Sequence, residues 1–421
     1  MSRVSDSPQG ALARFRANRK STIGNRPFAA IAVALLISCG PVLAEDPTPQ
    51  RPTTHPAGPL PDEIPVDTER EAAFAESAGK TIGHAFAIHR TDHFIIAHDA
   101  GDDPTVRDLG RRLEATYRAV RDFCRFNDIP IQPPLTRMEV YFFSKYTDLD
   151  TYARSLGTSA GSWSGFYYSG NNRAAFYNAL DEPKMRDIVE RVERQERVVE
   201  RLSGSGRRSA SRDEIVAAKA ELARLKRERD DQAEHLNRLV VQHEAAHQIL
   251  YNFGVHVIGS QNPNWLTEGL ACLFETPPSD FGSGAATVNQ LRLGDFRSAC
   301  LPNDPQGRMT PKLVERAIND GHFAPLRELI GEPRILLERA NKNLIYQYAQ
   351  SWSLVYYLVR ARRTEFADYV RSIARREIGR EYTAEEELAD FERAFGPIDD
   401  LLRTRWANYI IGIHFNPNAI R

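Results

Sequence analysis

The pattern of apolar and polar positions divides residues 84–177 into short strands and two helices. Apolar runs bounded by turn residues predict strands, and an apolar stripe at spacings of three and four predicts a helix. The predicted elements are strands 84–89, 93–98, Met138–Phe143, 161–168 and Arg173–Tyr177, with helices at about 105–126 and at Tyr146–Leu156. Gly and Asn between the last two strands suit a hairpin turn. This order predicts a small mixed α/β sheet with an antiparallel edge hairpin.

Residues 183–240 follow a different pattern, in which apolar residues recur at alternating spacings of three and four. Helices that pack along a shared seam have this spacing. Ser203–Gly206 interrupts the pattern, and Ser211 with Glu214 has the sequence of a capping box that starts a helix. The segment therefore predicts an inserted antiparallel coiled-coil arm of two helices. A solvated charged helix pair without a special role is the competing interpretation. No Gly or Pro follows before Leu250, so the second arm helix is expected to continue onward.

The stretch Val240–Leu250 carries His-Glu-x-x-His at positions 243–247. Residues four apart lie on one face of a helix, so His243 and His247 can reach a single metal ion. Glu244, beside the first histidine, is placed to act on water at that metal. Zn²⁺ suits these ligands and lowers the pKa of its water toward about 7. A catalytic zinc site needs a third protein ligand.

The third ligand is sought further along the chain. The metzincin pattern requires Gly and His where this sequence has Leu250 and Phe253, which excludes that class. Glu268 lies on a second, otherwise apolar helix over 264–275 and completes a His₂Glu set of thermolysin type. A carboxylate in an apolar setting is costly unless it is paired or bound to metal. An exposed helix glutamate is the competing interpretation. His256 fits no ligand spacing and is expected to be a loop histidine.

On these residues the chain resembles the gluzincin metallopeptidases, and more specifically the bacterial DUF1570 proteins, which are similar to the peptidase MA-like group. The resemblance covers about residues 85–410. Its specific part is the His-Glu-x-x-His motif followed by Trp265-Leu266-x-Glu268-Gly269-Leu270-Ala271. Softer matches are Asp92-His93-Phe94, Gly165-Phe166-Tyr167, Tyr348-Ala349-Gln350-Ser351-Trp352, Phe395-Gly396 and Trp406. The arm is long for the family.

The resemblance implies a zinc-dependent metallopeptidase that cleaves a peptide or protein substrate by metal-activated water. Glu244 would accept a proton from the water and deliver it to the leaving amine. Related gluzincins often stabilise the oxyanion with a Tyr or a His, and Tyr348 is the first candidate here, followed by Tyr346. The competing interpretation is that both are ordinary core or surface aromatics. The hairpin at 161–177 is placed to offer an edge strand to an extended peptide.

Two other functions stay open at this point. One is a non-catalytic binding or scaffold protein on a peptidase-like fold, in which the arm binds a protein partner. The other is a zinc hydrolase with a non-peptide substrate. The sequence contains no phosphate-binding loop, haem motif or dinucleotide fingerprint.

Composition and charge narrow the class of protein. The chain has 421 residues, 42% hydrophobic and 26% charged, as in soluble globular proteins. Residues 1–44 hold six basic groups and one acidic group, so the remainder has a net charge of −6, which favours no nucleic-acid partner. That segment also has an apolar run and Val42-Leu43-Ala44, which predict an exported bacterial protein, periplasmic or secreted. Leu36–Cys39 resembles a lipobox, and lipidation of Cys39 would attach the protein to a membrane. An uncleaved helix that anchors the protein in the membrane is a further alternative.

Three cysteines remain beyond the signal, and they allow at most one disulfide. Packing as small hydrophobes is the expected role of Cys124, Cys272 and Cys300. The fold class expected is α+β, with a small mixed sheet followed by a mainly helical zincin-like domain. The predicted segments are a signal peptide (1–44), a Pro-rich linker (45–69), an N-terminal α/β subdomain (70–182), the arm (183–240), metal-site helices (241–278) and a C-terminal helical subdomain (279–421).

Overall fold

The computed structural model describes residues 64, 66–101, 104–159, 165–182, 185–204, 211–276, 287–332 and 340–420. The predicted signal peptide, Cys39 and nearly all of the predicted linker lie outside the described residues, as do 161–164 of the predicted hairpin. Within them the fold is α+β, as predicted, with one five-stranded mixed sheet and many helices.

The sheet has three parallel strands in its centre and one antiparallel strand at each edge. Its strands are β1 (Ala87–Arg90), β2 (Phe94–His98), β3 (Met138–Phe143), β4 (Gly165–Tyr168) and β5 (Arg173–Tyr177), in the order β1-β2-β3-β5-β4. β1 and β4 pair antiparallel with their neighbours, while β2, β3 and β5 run parallel. All of β2 and β3 is buried, as expected for central parallel strands covered on both faces. The hairpin edge is confirmed, and the first strand begins three residues later than predicted.

Three helices accompany the sheet: α1 (Thr68–Ile82), α2 (Pro104–Phe126) and α3 (Tyr146–Ser155). The apolar stripe of α2 is buried, and this helix forms the crossover between parallel β2 and β3. The sequence pattern does not predict α1, which begins inside the predicted linker. The Asp67 side chain starts it by accepting a hydrogen bond from the Arg70 N–H at 3.1 Å. Phe74 then stacks on Tyr141 of β3, with ring centroids 4.5 Å apart.

The arm consists of α4 (Arg186–Ser203) and α5 (Arg212–Asn237). Ion pairs join Arg191 to Glu228 and Glu196 to Lys226. Residue numbers rise along α4 as they fall along α5, so the two helices are antiparallel. The predicted antiparallel helix pair is therefore present, and its coiled-coil packing stays a prediction. The capping box is also present, because the Glu214 N–H donates to Ser211 Oγ and the Ser211 N–H donates to the Glu214 carboxylate.

The second arm helix continues into the helix of the His-Glu-x-x-His motif, as predicted. One π-helical turn, Arg238–Gln242, joins α5 to α6 (His243–Asn252). Nearly all of α6 is buried. Gln248 fastens it to the sheet, since its Nε2 donates to the carbonyls of Glu139 in β3 at 2.9 Å and of Asn172 in the hairpin turn at 3.0 Å. The sheet therefore fixes the rotation of α6.

The remaining helices follow α6 along the chain, and the first of them packs against it. They are α7 (Asn264–Ala271), α8 (Gln290–Cys300), α9 (Pro311–Asn319), α10 (Leu326–Gly331), α11 (Ala340–Ala361), α12 (Arg363–Ile373), α13 (Ala384–Phe395) and α14 (Asp400–Ile411). The predicted helices at Tyr346–Arg362 and Thr364–Arg376 correspond to α11 and α12. Cys124, Cys272 and Cys300 are buried and unpaired. Every helix in the described ranges is too short or too polar to span a lipid bilayer.

Candidate metal centre

His243 and His247 present their Nε2 atoms to a common point. The two atoms lie 3.0 Å apart, and both side chains are fully buried. The helical spacing of four positions produces this arrangement, because it places the imidazoles one turn apart on the same face of α6. The rings meet at a steep angle, with centroids 4.7 Å apart.

Glu268 reaches the same point from α7. Its Oε2 lies 3.1 Å from Nε2 of His243 and 3.4 Å from Nε2 of His247. Burial acts to raise the pKa of this carboxyl, but the charge of His247 and hydrogen bonds with both imidazoles outweigh it and hold the pKa at about 2. The next residue explains how α7 comes so close to α11. A Cβ at Gly269 would lie 2.6 Å from the Ser351 carbonyl oxygen, so only glycine fits.

The three donor atoms match the spacing of ligands around one small metal ion. Ligands about 2.1 Å from a tetrahedral metal lie about 3.4 Å from one another. The observed separations are 3.0, 3.1 and 3.4 Å. Two imidazole nitrogens and one carboxylate oxygen are borderline donors that suit Zn²⁺ and other divalent transition metals. These buried groups can therefore hold a metal ion.

Glu244 lies beside the donors and points toward β4. The backbone N–H of Tyr167 donates to its Oε2 at 2.9 Å, while Oε1 is buried and has no hydrogen-bond partner among the described residues. Burial raises the pKa of Glu244 to about 8, with a further contribution from the charge of Glu268. The raised pKa makes the Glu244 carboxylate a stronger base than an exposed glutamate.

The sequence prediction missed a third buried carboxylate at the centre, Glu275. Its Oε1 lies 2.8 Å from Nδ1 of His243. Arg292 of α8 donates to both of its oxygens, at 2.6 and 2.7 Å, and Asn289 donates at 2.9 Å. Burial acts to raise the pKa of Glu275, but the charge of Arg292 lowers it to about 2. The sequence did contain a sign of its burial, because Glu275 ends the apolar stretch that follows Glu268. A carboxylate in such a stretch is costly to bury unless it is paired, as argued for Glu268.

A second group of donors overlaps the first. Cys272, Glu275 and His243 bring ligand atoms within 4.8 Å of one another, all buried. A third group, His84 with Asp99 and Asp148, lies near the surface close to the first strand. A cavity of about 220 Å³ lies elsewhere, and its lining includes Arg70, Glu71, Arg137 and Glu139. The residues predicted for the active site do not line it.

Tyr348 of α11 lies beside His243, and its role at the centre stays a prediction. Its ring meets His243 edge-on, with centroids 5.9 Å apart, and the Arg292 guanidinium covers its other side at 5.2 Å. Burial raises the pKa of Tyr348, and the charges of Glu268 and Glu244 raise it further. Tyr346 instead contacts His322 and is not brought to the centre.

His256 follows α6 in a loop, as predicted, but it is fully buried. Both ring nitrogens have no partner within the described ranges, and its nearest aromatic contact is Tyr251, at 5.1 Å. Burial lowers the pKa of His256 to about 3, aided by the charge of His247, so the ring is neutral. It belongs to none of the donor groups found.

Comparison with known proteins bears on this part of the chain. No curated protein matches the sequence. A family model does match, over a segment that begins in the π turn and contains every residue of the candidate metal centre. This finding supports the DUF1570 resemblance and says nothing of peptidase activity. Residues 238–378 are thus similar to the family described as "Protein of unknown function (DUF1570)".

Proposed function

We propose that this protein is a zinc-dependent metallopeptidase, with His243, His247 and Glu268 as the metal ligands. The observation that carries the proposal is the convergence of their three donor atoms within 3.4 Å, beside an oxygen of Glu244 that has no hydrogen-bond partner in the described part of the chain. Structural zinc sites usually have four protein ligands, whereas catalytic sites have three and an open position. A His₂Glu set with an adjacent Glu244 follows the catalytic pattern.

The ion would supply Lewis-acid chemistry and increase the acidity of water at the centre. Glu244 then accepts a proton from the attacking water on Oε1, while the Tyr167 N–H holds Oε2 in place. The same carboxyl returns the proton to the leaving amine. Tyr348 is the side chain proposed to donate a hydrogen bond to the oxyanion as charge develops. Burial excludes competing water and strengthens each of these interactions.

A peptide is the favoured substrate class because a sheet edge lies beside Glu244. β4 is the end strand of the sheet, and the Tyr167 N–H is directed to Glu244 instead of to β5. This side of β4 therefore faces the metal centre. Extended peptides bind edge strands through backbone hydrogen bonds, which would present a scissile bond to Glu244.

The alternative function is a binding protein with a structural metal. The complete burial of His243, Glu244 and His247 favours it, since a catalytic centre has to admit its substrate. In that case the arm, and not the centre, would perform the function.

The substitution Glu244→Gln separates the two functions. We expect the variant to keep about one zinc per chain and to lose at least about 100-fold of its hydrolysis of an unfolded protein, since the proton acceptor is gone. Zinc content by mass spectrometry and cleavage of fluorescently labelled casein provide the measurements. Glu228→Gln, on the arm, is the matched control and should cleave like the wild type. Equal cleavage by Glu244→Gln would exclude the catalytic proposal.

A further inference from the structure

His243 belongs to two buried donor groups through its two ring nitrogens. Nε2 faces His247 and Glu268, whereas Nδ1 lies 2.8 Å from Glu275. Cys272 completes the second group, and its ligand atom lies within 4.8 Å of the other two. An imidazole, a thiol and a carboxylate together form a donor set that zinc also accepts. The fold therefore offers metal ions two adjacent positions, one at each ring nitrogen of the same imidazole.

Arg292 places a permanent positive charge in the second position. Its guanidinium donates to both oxygens of Glu275, at 2.6 and 2.7 Å, and Asn289 takes a further lone pair of the same carboxylate. Arg292 is only 4% exposed. A guanidinium cannot lose its proton in a protein, and at such distances it repels a divalent cation strongly in a buried environment. The lone pairs that a metal would need are already engaged.

A carboxylate that accepts the Nδ1 proton also fixes the tautomer of the ring. Glu275 can only accept a hydrogen bond while it is ionised, so Nδ1 of His243 carries the proton and Nε2 keeps its lone pair. Partners of this kind orient metal-binding histidines and increase their basicity. Arg292 is thus a positioning residue that acts through Glu275.

Resting on the metal centre proposed above, we propose that Arg292 decides which donor group binds metal. It holds Glu275 as the hydrogen-bond acceptor of His243, which directs Nε2 toward His247 and Glu268. It also prevents His243, Cys272 and Glu275 from binding a second ion. Replacing the guanidinium by an uncharged side chain should open the second group to a thiophilic metal.

The first experiment uses the wild type alone. Zn²⁺ is added to protein labelled with ¹⁵N in histidine, and NMR identifies which nitrogen of His243 carries a proton and which binds zinc. We expect zinc on Nε2 and a downfield proton on Nδ1. Zinc on Nε2 with no proton on Nδ1 overturns the role of Arg292 while leaving the metal centre in place, whereas zinc on Nδ1 of His243 overturns both.

The second experiment titrates Co²⁺ into the wild type, Arg292→Met, Arg292→Lys and Arg297→Met, with circular dichroism to verify folding. Arg297 is the matched control, because it also lies on α8 and is buried, but its guanidinium donates to the carbonyls of Pro305 and Gly307 and lies over the Phe415 ring, away from the donor groups. We expect Arg292→Met alone to bind a second cobalt and gain a thiolate-to-cobalt absorption band. Adding Cys272→Ser to that variant should abolish the band.

The outcomes separate this inference from the proposed function. A folded Arg292→Met that binds one cobalt without a thiolate band overturns the inference, as does such a band in the wild type. If Arg292→Met does not fold, the NMR result on the wild type decides. A wild type that binds no metal, beside an Arg292→Met that binds one through Cys272, overturns the proposed centre and supports the role of Arg292. Absence of metal from both overturns both.

Discussion

The candidate metal centre and the arm are joined by one helix, but the first is buried and the second is largely exposed. From His243 to Tyr251 every residue of α6 is buried, and several of its polar groups bond to buried partners in β3, in α7 and at Glu275. Along α4 only Ile188 and Val192 are buried, and the arm is covered by ion pairs in which both partners are exposed. Buried polar groups are costly when unpaired, whereas exposed pairs contribute little. The effect of a substitution should therefore depend on which region contains it, even when the residue type is the same.

The largest difference is expected for the ligands themselves. His247→Ala should abolish metal-dependent stabilisation, which amounts to about 4 kcal/mol when free metal exceeds the dissociation constant 1,000-fold. Thermal unfolding of the wild type with zinc and with a chelator measures this term, and the variant should unfold identically in both. His235→Ala, in the arm helix, is the control and should keep the full response to zinc. A zinc response retained by His247→Ala would remove this histidine from the ligand set.

Two glycines provide the next comparison. Gly269→Ala should cost about 1–3 kcal/mol, because its Cβ would overlap the Ser351 carbonyl and a methyl of Val355 and push α7 away. Gly204→Ala in the arm should be neutral or slightly stabilising, since Gly204 has an ordinary extended conformation and its nearest contact would be 3.4 Å. Urea unfolding of both variants is the test. Equal destabilisation would contradict the proposed difference in packing.

Two glutamines compare hydrogen bonds in the same way. Gln248→Leu leaves the buried Glu139 and Asn172 carbonyls without their donor and should cost about 1–3 kcal/mol. Gln195→Leu in the arm removes one partly buried bond to the Ala218 carbonyl, at 3.0 Å, and should cost about 1 kcal/mol or less. Denaturant midpoints of the two variants measure the difference. A larger loss for Gln195→Leu would show that the arm is the more constrained region.

The smallest effect is expected for the arm ion pair between Arg191 and Glu228, whose groups are 3.4 Å apart and about one-third exposed. Removing it with Arg191→Met should cost about 0.5 kcal/mol or less at low ionic strength, and less still in 1 M salt. A double-mutant cycle with Glu228→Gln isolates the pair. A coupling energy that persists in high salt would indicate a dry interface along the arm.

Some parts of the structure follow from local sequence patterns and can be predicted from them, whereas others depend on contacts between distant elements and cannot. The strands, α2 and the arm follow from local periodicity, and the proposed ligands of α6 follow from a spacing of four residues. A single sequence is therefore enough to predict these features. Glu268 is readable because a carboxylate in an apolar helix requires a partner. The helix α1 is not, since it buries few apolar residues and its stripe is weak.

The orienting network around His243 could not be predicted for a different reason. Arg292 approaches Glu275 from another helix, and no periodicity relates the two positions. Arginine is normally an exposed residue, so its sequence position gives no sign of burial. The π turn has no sequence signature either, because it depends on how α5 and α6 are held at their two ends. Both features require the tertiary fold.

The π turn has a mechanical consequence. With 26 residues and a rise of 1.5 Å per residue, α5 is about 39 Å long. Arg238–Gln242 joins this helix to His243, the first proposed metal ligand, so a tilt of α5 about this turn would rotate His243. A sideways movement of about 5 Å at the N-terminal end of α5 corresponds to a tilt of only about 7° about this turn. A binding event at the tip would thus reach His243 as a small rotation, of the size that alters the direction of a metal–nitrogen bond without breaking it.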